Sequence, residues 1–220
     1  MFKNNSHIKP FNHKITFLLF FLFSVGLFAQ QKPKKEKIIL RHADITQKIH
    51  GEFEDNPVLS GNVVIEYKGD VVHADSAVLY RDRNVAVVWS NTRLVSKDKT
   101  ITADKLEYDA NTKLAKAFDN VVLTDPTSRI TADYMEYNKD TEIAVGIGKV
   151  EVKTPTQQIS ADKMIYERST GNIIVNDTYR TIGSDGTLVE GKNVVYNVKT
   201  KSADFGSEVF ITNKDYTIYS

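Results

Sequence analysis

The chain repeats itself every 29 residues, and this restricts its fold more than any other property. Val72-His73-Ala74-Asp75, Ile101-Thr102-Ala103-Asp104, Ile130-Thr131-Ala132-Asp133 and Ile159-Ser160-Ala161-Asp162 follow one another at that interval without insertion. Three further columns keep the same step: Ala77, Leu106, Met135 and Met164; Leu79, Tyr108, Tyr137 and Tyr166; and Ile65, Leu94, Leu123 and Val152. A fifth copy, Val194-Val195-Tyr196 followed by Val209-Phe210-Ile211, fits with one residue inserted near Ser184-Asp185-Gly186. His42-Ala43-Asp44 is a degenerate first copy. A fixed period of this length means one stacked array, in which each unit covers the apolar face of the next.

The units read as strands. Val, Ile, Thr and Tyr dominate them, Gly and Asn stand at the breaks, and no stretch past the N-terminal segment holds apolar residues at helical spacing. The expected class is all-β, an elongated sheet like a β-solenoid, built from ~29-residue repeats of two or three short strands each. Within one unit Ile101 and Ala103 have one parity and Leu106 and Tyr108 the other. A regular strand cannot turn all four to one side, so a bulge or corner is expected at Asp104 and its equivalents Asp75, Asp133 and Asp162. Tight turns are expected at Asp109-Ala110-Asn111-Thr112 and its equivalents, and at Asp125-Pro126. On stacking, Tyr108 is expected beside Tyr137 and Tyr166.

The first 29 residues read as an address. Lys3, Lys9 and Lys14 precede the apolar run Ile15 to Ala29, which has the length of a signal-peptide core. Cleavage is expected near Ala29-Gln30; because Leu27 stands where a small residue is usual, an uncleaved membrane anchor is the alternative. Residues 30–37 are a polar lead-in, 38–211 the repeat domain and 212–220 a tail. Formal charge is +1, and without the three leading lysines 26 basic side chains face 28 acidic ones, which offers nucleic acid no basic field. Cysteine is absent, so disulfides, thiolate metal sites and thiol nucleophiles are excluded.

Chemistry has little foothold. The histidines are His7, His13, His42, His50 and His73, and no Gly-x-Ser-x-Gly, His-Glu-x-x-His or phosphate-cradling glycine loop occurs. No catalytic residues, cofactor or metal are expected. The Asp column lacks the glycine-rich setting of calcium-binding β-rolls, and Lys105 and Lys163 follow two of its members; backbone amides are its expected partners. The apolar columns admit two readings. In one they fill the interior of a structural scaffold or adhesin module. In the other they line a trough, open along one seam, for acyl chains: Ile65, Leu79, Leu94, Leu106, Tyr108, Leu123, Met135, Tyr137, Val152, Met164 and Tyr166. Enclosing a dozen methylenes is worth about 10 kcal/mol. Several fully enclosed chains would pass the roughly −18 to −21 kcal/mol at which affinities saturate, so a carrier should cover them only partly. The end strands, Ile38-Ile39-Leu40 and Val209-Phe210-Ile211, are apolar edges suited to pairing with another chain, including head-to-tail copies.

The Ala-Asp-x-x-x-Tyr units, together with Gly61 to Ile65, Asp119 to Leu123 and Gly148 to Val152, resemble the OstA/LptA family of lipopolysaccharide-transport proteins. The resemblance covers about residues 38–211. It implies an antiparallel β-jellyroll of V-shaped section whose interior shields lipopolysaccharide acyl chains in the periplasm. It also implies end-to-end assembly with LptC-like and LptD-like partners of similar fold, bridging the inner and outer membranes. An uncleaved anchor would favour the inner-membrane, LptC-like role.

Overall fold

A computed structural model describes residues 37–49, 53 and 56–220, within a compact unit spanning 36–220; the expected signal segment lies outside the described residues. Among the described residues fourteen strands form one antiparallel sheet. They are β1 (Ile39–His42), β2 (Ile45–Gln47), β3 (Val58–Tyr67), β4 (Asp70–Tyr80), β5 (Val85–Ser96), β6 (Lys99–Asp109) and β7 (Leu114–Thr124). There follow β8 (Arg129–Asn138), β9 (Ile143–Lys153), β10 (Gln157–Glu167), β11 (Asn172–Gly183), β12 (Leu188–Asn197), β13 (Ser202–Thr212) and β14 (Thr217–Tyr219). From β3 onward every strand pairs with the next, while β1 and β2 each cover part of β3. Among the described residues the sheet stays open at both edges. One repeat is therefore two long strands rather than two or three short ones, because the ladder resumes after each irregularity.

That irregularity is a fold line. In β4, β6, β8 and β10 the buried positions change parity at the aspartate: Ile101 and Ala103 are buried before Asp104, Leu106 and Tyr108 after it. The preceding strand supplies two residues against that one. Ser90 and Asn91 face Asp104 across the β5–β6 ladder, and Asp119 and Asn120 face Asp133 across β7–β8. Both members of each pair have left-handed backbone, as do Gly61-Asn62 and Gly148-Lys149. Repeated strand after strand, such bulges crease the sheet along one line.

The crease brings two half-sheets face to face over a single apolar core. One wall carries Leu106, Met135 and Met164 with the tyrosines; the other carries Ile65, Leu94, Leu123 and Val152 with Ile101, Ile130 and Ile159. Tyr67 of the second wall meets Tyr108 of the first with ring centroids 5.8 Å apart. The tyrosines do not stack on one another. Ala115 pairs with both Tyr108 and Tyr137, and Ala144 with both Tyr137 and Tyr166. Since a repeat is two strands, equivalent residues lie about 9.6 Å apart, and alanine in the intervening strand leaves room for the rings.

Candidate functional site

All eleven residues expected to line the trough are buried in the shared core, with Val152 at 0% and Met135 at 1% exposure. The interior is thus filled by its own side chains. Ile38 to Leu40 lie at the N-terminal end, Ile39 being 44% exposed. Val209 to Ile211 lie in β13, where Phe210 to Thr212 are covered on the outer side by β14; the outer edge of Ser202 to Ser207 has no strand against it among the described residues. Thr212 and Thr217 to Tyr219, beyond the expected end of the repeat domain, are thereby part of the sheet.

The aspartates of the fold line are exposed, and their recorded partners are side chains of the following strand rather than backbone amides. Asn91 Nδ2 donates to Asp75 at 2.6 Å, Asn120 Nδ2 to Asp104 at 2.8 Å, and Lys149 Nζ lies 3.4 Å from Asp133. Asn62 makes the same bond to Asp44, 2.9 Å. Asp75, Asp104 and Asp133 thus each face the left-handed pair of one neighbour and grip a member of that of the other, and this ladder holds the crease. No group of three metal-ligating side chains occurs among the described residues.

Opposite the crease, the strand ends form two lips, and here the structure shows a site that the apolar columns did not indicate. The first lip consists of turns stacked by backbone bonds: Ala110 N–H donates to Asn84 O, Lys139 to Lys113 O, Arg168 to Glu142 O and Val198 to Gly171 O. Asp109, Asn138 and Asn197 each accept two backbone N–H groups within these turns. The stacking sets Ala110, Lys139 and Arg168 in a row, each two residues beyond a column tyrosine. The second lip holds Asp70, Asp98, Lys99 and Asp125.

The lips are joined by polar contacts along their length. Tyr67 Oη donates to Ala110 O (3.0 Å), and Lys139 Nζ sits 2.6 Å from Asp70. Lys99 Nζ, itself buried, donates to Tyr137 Oη at 2.6 Å and lies 3.7 Å from Glu142. Arg168 is shared by Asp98, Glu142 (2.9 Å) and Asp125 (3.6 Å), and Tyr166 Oη donates to Asp125 at 3.0 Å. The seam that the trough reading leaves open is closed by this latch. Burial pushes the Asp125 carboxyl up, but hydrogen bonds from Thr127, Tyr166 and Ser128 outweigh it and hold the pKa below the ordinary value. Burial, with Glu142 second, pushes Tyr137 up to about 12. Tyr108 is also raised, by burial and then by Asp70, and its hydroxyl is buried without a hydrogen-bond partner. At the N-terminal end an apolar recess of about 300 Å³ lies between Ile38, Leu40, Leu79 and Val85.

These latch residues were hidden in the sequence because partners across the seam lie 38 to 70 residues apart. Lys139 and Arg168 are one period apart, as are Asp70 and Lys99.

The geometry is that of a creased antiparallel sheet enclosing an apolar strip, and comparison with known proteins agrees. The profile of the OstA-like protein family matches residues 35–178 and again 116–220. The chain belongs to the OstA-like family. The two overlapping matches reflect the internal repeat of this OstA-like chain. LptH of Pseudomonas aeruginosa, the LptA-homologous periplasmic component of that organism's lipopolysaccharide transport device, is similar to it in fold. The TM-score is 0.50 and identity 15%, over 54% of this chain and 96% of that one. No curated protein matches this OstA-like sequence. Among the described residues no helix is long and apolar enough to cross a membrane.

Proposed function

We propose that this OstA-like chain is a periplasmic, non-enzymatic carrier that holds lipopolysaccharide acyl chains between its two walls and forms part of a bridge between inner and outer membranes. The observation that carries this reading is the apolar core running unbroken from Leu59 to Tyr196 inside a sheet of the OstA-like family. With the walls parted, such a strip would offer alkyl chains an apolar surface on both sides, each methylene contributing about 0.8 kcal/mol on burial. Ends left open for pairing fit docking to LptC-like and LptD-like proteins or to further copies: β1 and β2 at one end, β14 and Ser202 to Ser207 of β13 at the other.

The test is a photo-crosslinking amino acid placed in cells at Met135, on the inner face, and at Glu136, on the outer face. Lipopolysaccharide should be captured at 135 and not at 136; no capture at 135 in a folded protein with active transport refutes the carrier. The packed interior supports a second reading, a dry scaffold, which predicts the same absence. Sequencing the mature N-terminus separates a released carrier, starting at Gln30, from an anchored component that keeps Met1.

A further inference from the structure

The latch lies where the head of an enclosed amphiphile would have to emerge. Between the two ends of the strip, tails held by the walls leave the seam for a bulky polar head, since the crease is a continuous hydrogen-bonded sheet. The seam consists of Lys139, Lys99 and Arg168, held by Asp70, Glu142, Asp98 and Asp125. Directly beneath run the hydroxyls of Tyr108, Tyr137 and Tyr166. Two are engaged by latch residues, but that of Tyr108 is buried with no partner, close enough to Asp70 for that carboxylate to raise its pKa. Cations over an apolar strip, with a hydroxyl donor to spare, match one ligand chemistry: an anionic head on alkyl tails.

We propose that the seam is a gate opened by exchange, in which anionic head groups replace Asp70, Asp98 and Asp125 as the partners of Lys139 and Arg168, and the lips part around the head while the tails enter. The exchange conserves charge pairing at the cations and leaves the freed carboxylates facing water. An uncharged head offers no such compensation, because parting the lips would strip Arg168 of Asp98 and Asp125 and leave it only Glu142 of its own lip. The gate rests on the carrier reading above and adds to it a route and a head-group requirement.

The chain has no cysteine, so a single pair can be installed across the seam. Pro126→Cys and Ser169→Cys are exposed positions, each adjacent in sequence to a latch residue, and a short bis-maleimide would tie the lips without touching Arg168 or Asp125. The probes are dodecyl phosphate and dodecyl maltoside, kept below their micellar concentrations. Without the bridge, the phosphate should bind about tenfold or more tightly than the maltoside, and bridging should slow its uptake by about tenfold or more. Arg168→Gln, checked for folding by circular dichroism, should narrow the preference for phosphate. Equal uptake with and without the bridge, or equal affinity for both heads, overturns the gate and leaves the carrier reading standing. Binding of neither probe by the unbridged protein overturns both.

Discussion

Truncating Leu123 tests whether the interior is as close-packed as its burial implies. Leu123 is 2% exposed, near the C-terminal end of β7, with Ile101 and Ile130 paired to it on either side. Leu123→Ala removes three carbons, about 2.4 kcal/mol at ~0.8 per methylene. Neighbours tied into continuous ladders cannot collapse fully into the gap, so a cavity term brings the total to about 3–4 kcal/mol. The control is Ile147→Ala, a residue of β9 that is 43% exposed and should cost about 1 kcal/mol or less. Urea unfolding followed by far-ultraviolet circular dichroism measures both, read as a shift in midpoint at unchanged slope. A loss below about 1 kcal/mol for Leu123→Ala would mean that the walls are not in contact at this level. The description of a filled interior would then be wrong.

Three further outcomes follow from particular residues. Gly148 has φ +77°, and a Cβ there would meet Asp133 Oδ2 at 2.7 Å, so Gly148→Ala should lower stability by about 1–3 kcal/mol in the same urea assay. The Asp125 carboxylate has a lowered pKa in the folded state, so its contribution is present above the ordinary aspartate range and is lost as pH falls through its folded value. The urea midpoint should therefore drop between pH 6 and pH 3, with a shallower slope for Asp125→Asn. Tyr166→Phe removes a hydroxyl bonded to Asp125 and should cost about 1–2 kcal/mol, whereas Tyr108→Phe removes an unpartnered one and should be neutral or stabilising by thermal melting.

The array was legible because its signal is the hydrophobic period. Ile101, Ala103, Leu106 and Tyr108 change parity at Asp104, and a bulged strand follows from that alone. The number of strands per repeat was less legible. The parity break at Asp104 reads as the end of a strand, but the ladders resume beyond it, so two long strands looked like several short ones. That misreading also put the tyrosines side by side, where Ala115 and Ala144 separate them. Least legible was the seam. Whether Arg168 reaches Asp98 depends on how steeply the creased sheet twists, and no local pattern records an ion pair 70 residues apart.

The central claim is that alkyl chains lie between the walls, and the dependence of affinity on chain length tests it most directly. Titration calorimetry with decyl and tetradecyl phosphate compares ligands that share one head and differ by four methylenes. Burial between the walls predicts a gain of about 3 kcal/mol, or roughly two orders of magnitude in Kd, with a more negative heat-capacity change for the longer chain. Equal affinity for the two chains would show that only the head is bound and would contradict the account.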